Sequence, residues 1–167
     1  MFFRYMDIEF EYEEQYFNLG GLLYQPDFWL PKQNCWVEVK GPFPTREEKE
    51  KARHLAAHVQ RNVYICFGDI PEPEDSSWYT GSCIVFFPDG QDDESHWWCE
   101  CFICGSLGLQ FEGCAASLPC GCLRYANSHW EGPKAHCSPR LLRAYSVARA
   151  ADTYQAQNNY DVLVPVE

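Results

Sequence analysis

Three charged side chains stand where apolar ones are expected. Asp27 falls within the run Leu22–Leu30, and Glu38 and Lys40 fall within Cys35-Trp-Val-Glu-Val-Lys40. A charge placed in an apolar strand is costly unless it is paired or put to use. Glu38 and Lys40 are two apart, so on a strand they share one face. If the two runs pair as a hairpin across Pro31-Lys-Gln-Asn34, Asp27 approaches both on that face. Two carboxylates and the Val39 carbonyl then make an all-oxygen site suited to Mg²⁺ or Mn²⁺. A lysine beside it orients or deprotonates a water, or offsets negative charge on a phosphate. The alternative that spacing alone leaves open is a structural Glu–Lys pair, with Asp27 in a turn after Pro26.

The second constellation is sulfur. Seven of the ten cysteines lie between Cys99 and Cys137. Cys101-Phe-Ile-Cys104-Gly105 is a C-x-x-C-G knuckle, and Cys120-Gly-Cys122 follows with fifteen residues between. Two such pairs fit a tetrahedral Zn²⁺ site of the ribbon type, closed by four thiolates and therefore structural. Cys99, Cys114, Cys137, His129 and His136 are spare candidates, and Cys99 shares the strand face of Cys101. Cys35, Cys66 and Cys83 stand alone in apolar settings and read as small buried thiols. No secretion signal accompanies the cysteines, which weighs against a disulfide framework.

The elements that must position these residues follow from pattern. Ile8–Tyr12 alternates apolar and acidic residues, the signature of a half-buried strand. Asn18-Leu-Gly-Gly21 is a turn, and Leu22–Leu30 and Cys35–Val39 are the two arms of a hairpin. Thr45 and Glu48 form a capping-box signal that opens a helix running to about Gln60, with Ala52, Leu55, Ala56 and Val59 facing inward. Asn62–Phe67 is a strand buried on both faces. An acidic, Pro-rich linker from Gly68 to Ser77 leads to two aromatic strand-like stretches, Trp78–Phe87 and His96–Phe102. Trp97 and Trp98 are adjacent, so one of them is a candidate to be exposed and to stack a base, with packing as the alternative. Ser138-Pro139 opens a final helix to about Gln155, with Leu141, Leu142, Tyr145 and Ala148 as its packing stripe. Arg140, Arg143 and Arg149 lie off that stripe as candidate phosphate contacts, or else form an ordinary solvated face or pair with the acidic middle of the chain.

Composition bounds the answer. A chain of 167 residues with 46% hydrophobic and 22% charged residues is globular. The formal net charge is −11, which argues against generic polyanion binding. The charge is uneven. From Asn62 to Gly113 there are ten acids and no Lys or Arg, whereas from Cys114 to Ala151 there are five bases and one acid. No apolar run approaches the length of a membrane span, and with no signal peptide the expected location is the cytoplasm.

With these residues in place, Tyr24-Gln-Pro-Asp27-Phe-Trp-Leu-Pro31 followed by Trp36-Val-Glu38-Val-Lys40-Gly41 and a helix after Pro44-Thr45 resembles the PD-(D/E)xK nuclease superfamily, closest to its small phage-type members. The likeness covers Ile8 to Phe67. It implies an α/β (α+β) fold with a restriction-endonuclease-like core sheet flanked by helices. To that core the cysteines add a zinc-ribbon-like β subdomain, and the chain ends in a C-terminal helix. The expected units are a nuclease-like core over 1–68, an acidic linker and Cys-rich zinc-binding part over 69–137, and a helix and tail over 138–167 that packs on the core. The resemblance further implies Mg²⁺-dependent hydrolysis of DNA, with Asp27 and Glu38 on the metal and Lys40 assisting the water. Family members usually begin with a helix that contributes a further acid. Here only Met1–Asp7 precedes the first expected strand, and Glu9, Glu11, Glu13 and Glu14 read as solvated charges. Either Asp27, Glu38 and Lys40 suffice, or activity is weak or lost. The alternative partner is then a host defence protein (CRISPR or restriction) whose nucleic-acid groove an acidic phage protein would fill in the bacterial cytoplasm. Oligomeric state stays open, a homodimer included.

Overall fold

The computed structural model describes residues 1–70, 82–114, 118–122 and 138–161, with the side chains of the last helix described as far as Ala151. The element order is α1 (Phe2–Tyr5), β1 (Glu11–Tyr12), β2 (Phe17–Leu19), β3 (Leu22–Tyr24), β4 (Phe28–Leu30), β5 (Cys35–Lys40), α2 (Arg46–Val59), β6 (Asn62–Phe67), β7 (Ser82–Phe86), β8 (Asp92–Glu100), β9 (Leu107–Phe111) and α3 (Pro139–Asp161). Seven strands form one mixed sheet in the order β1-β4-β5-β6-β7-β8-β9, and β2 and β3 pair separately. β5 and β6 run parallel, because α2 carries the chain back to the starting edge between them.

Helices and hairpin cover the two faces of this sheet. On one face Trp36, Val63, Ile65, Ile84 and Phe86 pack against Ala52, Leu55 and Ala56 of α2 and against Phe17 and Tyr24 of the β2–β3 hairpin. On the other, Val37, Tyr64, Val85, Trp98 and Leu109 pack against Met6 behind α1 and Leu141, Ala144 and Tyr145 of α3. The period-2 alternation of β5 through β8 feeds both cores at once. Leu55 is wholly buried, and truncating such a residue to alanine costs about 2–5 kcal/mol.

Local sequence explains the boundaries. Thr45 caps α2 with the full reciprocal capping box expected from its spacing to Glu48. Ser138 Oγ accepts from the Leu141 amide at 3.1 Å and caps α3. Gly20 and Gly21, both at positive φ, make the tight turn of the β2–β3 hairpin, and Asn18 Oδ1 accepts from the Gly21 amide at 2.7 Å.

Several expectations are revised. The apolar run Leu22–Leu30 is two strands, because buried Pro26 has no N–H to give a ladder. Its first half pairs with β2 and its second half with β5. Only Glu11–Tyr12 of the alternating Ile8–Tyr12 segment is strand, since β4 offers it just Phe28 and Trp29 as partners. Strands β7, β8 and β9 extend the core sheet, β6 pairing with β7, β7 with β8 and β8 with β9, so the first cysteine knuckle lies in the connection between two strands of that sheet. β9 was not foreseen, because Leu107–Phe111 is glycine-interrupted and weakly alternating. The expected linker from Gly68 to Ser77, apart from residues 68–70, and Trp78 to Gly81 of the following strand lie outside the described residues.

Candidate functional site

The hairpin brings Asp27, Glu38 and Lys40 to one end of β4 and β5. The register pairs Phe28 with Val37, so Asp27 falls opposite Glu38 just beyond the last ladder pair. Released by Pro26 from the ladder, Asp27 uses its side chain where a strand would use its carbonyl, and Val39 N donates to its Oδ2 at 2.7 Å. An extended residue points its N–H and C=O to the same edge, so the Val39 carbonyl opens beside Asp27. Glu38 is 5% exposed. Its Oε1 lies 2.6 Å from Lys40 Nζ, and its Oε2 accepts from the Tyr24 hydroxyl at 3.2 Å. Lys40 also reaches Glu48 at 3.5 Å.

Burial sets the electrostatics of the site. It pushes the Asp27 carboxyl above its ordinary value, against the pull of the Val39 amide and Lys40, and Glu13 adds to the rise. Burial also pushes Glu38 up, with the negative charge of Asp27 adding to it, and the hydrogen bonds from Lys40 and Tyr24 offset only part. Burial pulls the Lys40 ammonium down, yet the Glu38 and Glu48 carboxylates together outweigh it and hold Lys40 above its usual value. The Tyr24 phenol is driven far up, first by burial and then by Glu38, so it stays protonated as a donor. Glu38 feels the Asp27 charge, and these two carboxylates beside the Val39 carbonyl are oxygen donors of the kind a hard divalent cation takes.

Reading the sequence missed three partners. Tyr24 belongs to the β2–β3 hairpin and becomes a neighbour of Glu38 only when that hairpin folds over α2. Glu48 was legible as a capping residue, but its contact with Lys40 depends on where α2 docks. Glu13 is an exposed turn residue with φ 47°. Its amide donates to the Asp27 carbonyl at 2.8 Å, and its charge bears on the Asp27 carboxyl. Asp7, the last acid of the N-terminal segment, points elsewhere, to Arg140 at 3.4 Å.

Cys101, Cys104, Cys120 and Cys122 gather with their sulfurs all within 4.8 Å of one another. A tetrahedral shell with metal–sulfur bonds of about 2.3 Å places its sulfurs ~3.8 Å apart, so the four can hold a metal ion such as zinc. Each knuckle turns on a glycine at positive φ, Gly105 after the first pair and Gly121 inside the second. Burial raises the Cys101 thiol, but the Cys104 and Ile103 amides and neighbouring thiols outweigh it and leave Cys101 at about 7. Sharing protons with Cys104 and Cys120 pushes Cys122 up to about 12. Cys99 is fully buried, raised by burial to about 12, and stands outside this group, as does Cys114. Cys137, His129 and His136 lie outside the described residues.

Three expectations change here. Arg140 is not a free phosphate contact. Its guanidinium is shared among Glu100 Oε1 at 3.0 Å, the Met6 carbonyl at 2.8 Å and Asp7, which fastens α3 to β8 and the N-terminal segment. Arg143 remains exposed on α3. Trp97 and Trp98 are both buried, because each face of β8 is covered. Cys66 and Cys83 are not separate thiols but a disulfide, since the β6–β7 register sets them directly opposite with Cα atoms 4.1 Å apart.

Compared with known proteins, the chain matches no family model, no curated protein and no solved structure. Among the described residues, no helix is long and apolar enough to cross a membrane.

Proposed function

We propose that this protein is a divalent-metal-dependent nuclease hydrolysing DNA phosphodiester bonds on a restriction-endonuclease-like core, with a structural zinc on the four cysteines. The observation that carries the reading is the convergence of Asp27, Glu38 and Lys40 at the end of β4 and β5, with the Val39 amide fixing Asp27. Asp27, Glu38 and the Val39 carbonyl would hold Mg²⁺ or Mn²⁺. The ion's contribution is to polarise a phosphoryl oxygen and to lower the pKa of a bound water.

The remaining roles belong to this chain's side chains. Lys40, paired with Glu38 and Glu48, would act as a cation that offsets charge developing on the phosphate and orients the water. Tyr24 donates to Glu38 and fixes its rotamer. Glu48 ties the site to the N-terminus of α2, whose capping box holds that carboxylate in place.

The test is incubation of plasmid and single-stranded DNA with Mg²⁺ or Mn²⁺, alongside Asp27→Ala and Lys40→Ala. Cleavage by the wild type that both variants lose is the expected result. A wild type silent with both ions overturns it. A second reading, an acidic protein that occupies the nucleic-acid groove of a host defence protein, draws on the −11 charge and on the internal pairing of Lys40, Arg53 and Arg140. Wild-type silence in the same assay favours that reading.

A further inference from the structure

A cavity of about 550 Å³ opens beside Asp27, within the size range of small-molecule sites of ~300–1,000 Å³. Asp27 and Val39 line it, so it shares two residues with the candidate metal site. Much of the rest is aromatic. Phe3, Phe10, Tyr12 and Phe28 form one connected set of rings, with centroids 5.0–5.7 Å apart. Tyr12 is 59% exposed, so its ring is available to a ligand. Phe67 also lines the cavity, and exposed Phe43, three residues beyond Lys40, packs edge-on against it at 5.0 Å.

Several cations among the described residues are already ion-paired within the protein. Lys40 is paired with Glu38 and Glu48, Lys49 with Glu94, Lys51 with Glu47, Arg53 with Glu50 and Asp92, and Arg140 with Asp7 and Glu100. Duplex DNA is normally held by lysines and arginines that neutralise its phosphates. Where cations are already ion-paired, base stacking on aromatic rings is a source of affinity that requires no positive charge. Stacking requires bases that are not already stacked in a duplex.

We infer that this aromatic cavity takes an unpaired nucleobase of a single strand, so that the phosphate adjoining that base is the one delivered to Asp27, Glu38 and Lys40. The inference rests on the nuclease reading for the fate of the phosphate, but the base-binding step is independent of cleavage.

The experiment is fluorescence anisotropy of a labelled single-stranded DNA 12-mer, with no Mg²⁺ or Mn²⁺ added so that nothing is cut. The same sequence as a duplex and the same strand with abasic sites serve as competitors. The single strand binds at least tenfold tighter than either. Tyr12→Ala weakens it by about tenfold, whereas Tyr12→Phe keeps the ring and the affinity. Ala148→Trp, which places an indole in the cavity from α3, abolishes the preference for the intact strand. Circular dichroism of each variant establishes that it is folded. Equal binding of duplex or abasic strand, or an unchanged affinity in both Tyr12→Ala and Ala148→Trp, overturns the inference. Strand binding without cleavage under any divalent ion leaves the base site standing and removes the nuclease reading. Cleavage without single-strand preference does the reverse.

Discussion

Replacing Lys40 with methionine isolates what the Glu38–Lys40 pair does for the fold. Methionine keeps the apolar stem and removes the charge that lies 2.6 Å from a carboxylate only 7% exposed. Breaking a fully buried pair from one side costs about 3–5 kcal/mol. Here the Lys40 side chain is 28% exposed, so water offsets part of the loss and about 2 kcal/mol is expected near neutral pH. With a urea m-value of about 2 kcal/mol/M, the unfolding midpoint falls by ~1 M.

The pH dependence gives a sharper test. Glu38 has its folded pKa raised, so the stability it contributes is fully present below its unfolded value of 4.5 and is lost as pH rises through the folded value. Removing Lys40 raises the folded value further. Wild type and Lys40→Met therefore unfold at nearly the same urea concentration at pH 4, and the gap opens with increasing pH to its full size by pH 8. Adding Glu38→Gln to Lys40→Met removes the unpaired charge and recovers most of the loss at pH 8. Urea titrations followed by tryptophan fluorescence measure all three proteins. A gap independent of pH, or no gap at pH 8, refutes the reasoning.

Other outcomes follow from single contacts. A Cβ on Gly108 would lie 2.8 Å from Leu118 Cδ2, next to the second knuckle. Gly108→Ala therefore destabilises by about 1–3 kcal/mol in thermal unfolding and loosens metal retention. Cys104→Ser and Cys122→Ser lose the bound zinc, measured by atomic emission on purified protein, whereas Cys99→Ala keeps it. Arg140→Ala strips Glu100, 12% exposed, of its cation and costs about 1–3 kcal/mol, while leaving the salt slope of DNA binding unchanged. Arg143→Ala does the converse if that side chain meets a phosphate, lowering the slope by about 1 in a salt titration. Thr45→Ala removes the α2 cap and costs about 1 kcal/mol in urea unfolding.

Features carried by short-range pattern were legible in the sequence. The Thr45–Glu48 capping box, the α2 face of Ala52, Leu55 and Ala56, the strand Asn62–Phe67 and the four-cysteine set all depend on spacing within one or two turns or within two knuckles. Spacing also predicted that Asp27 would approach Glu38 and Lys40, because a short loop sets the register of a hairpin. Features that need two distant segments were not legible. Pattern left Arg140 either a phosphate contact or a partner of the acidic middle, and Glu100 and Met6, far from it in the chain, could not be named as its partners. Cys66 and Cys83 looked like isolated thiols because their pairing requires the β6–β7 register.

The sequence by itself determined which donor groups are on offer, two carboxylates with a lysine and four thiols, since a side chain's donor type does not depend on the fold. Tertiary structure alone decided how those groups are held. Docking of α2 and the β2–β3 hairpin supplied Tyr24 and Glu48, and burial raised both carboxyls while the carboxylates held Lys40 up. Packing of α1 and α3 over the sheet brought the rings of Phe3, Phe10, Tyr12 and Phe28 together beside Asp27. Proximity between segments arises only when the apolar faces that drive folding are buried together.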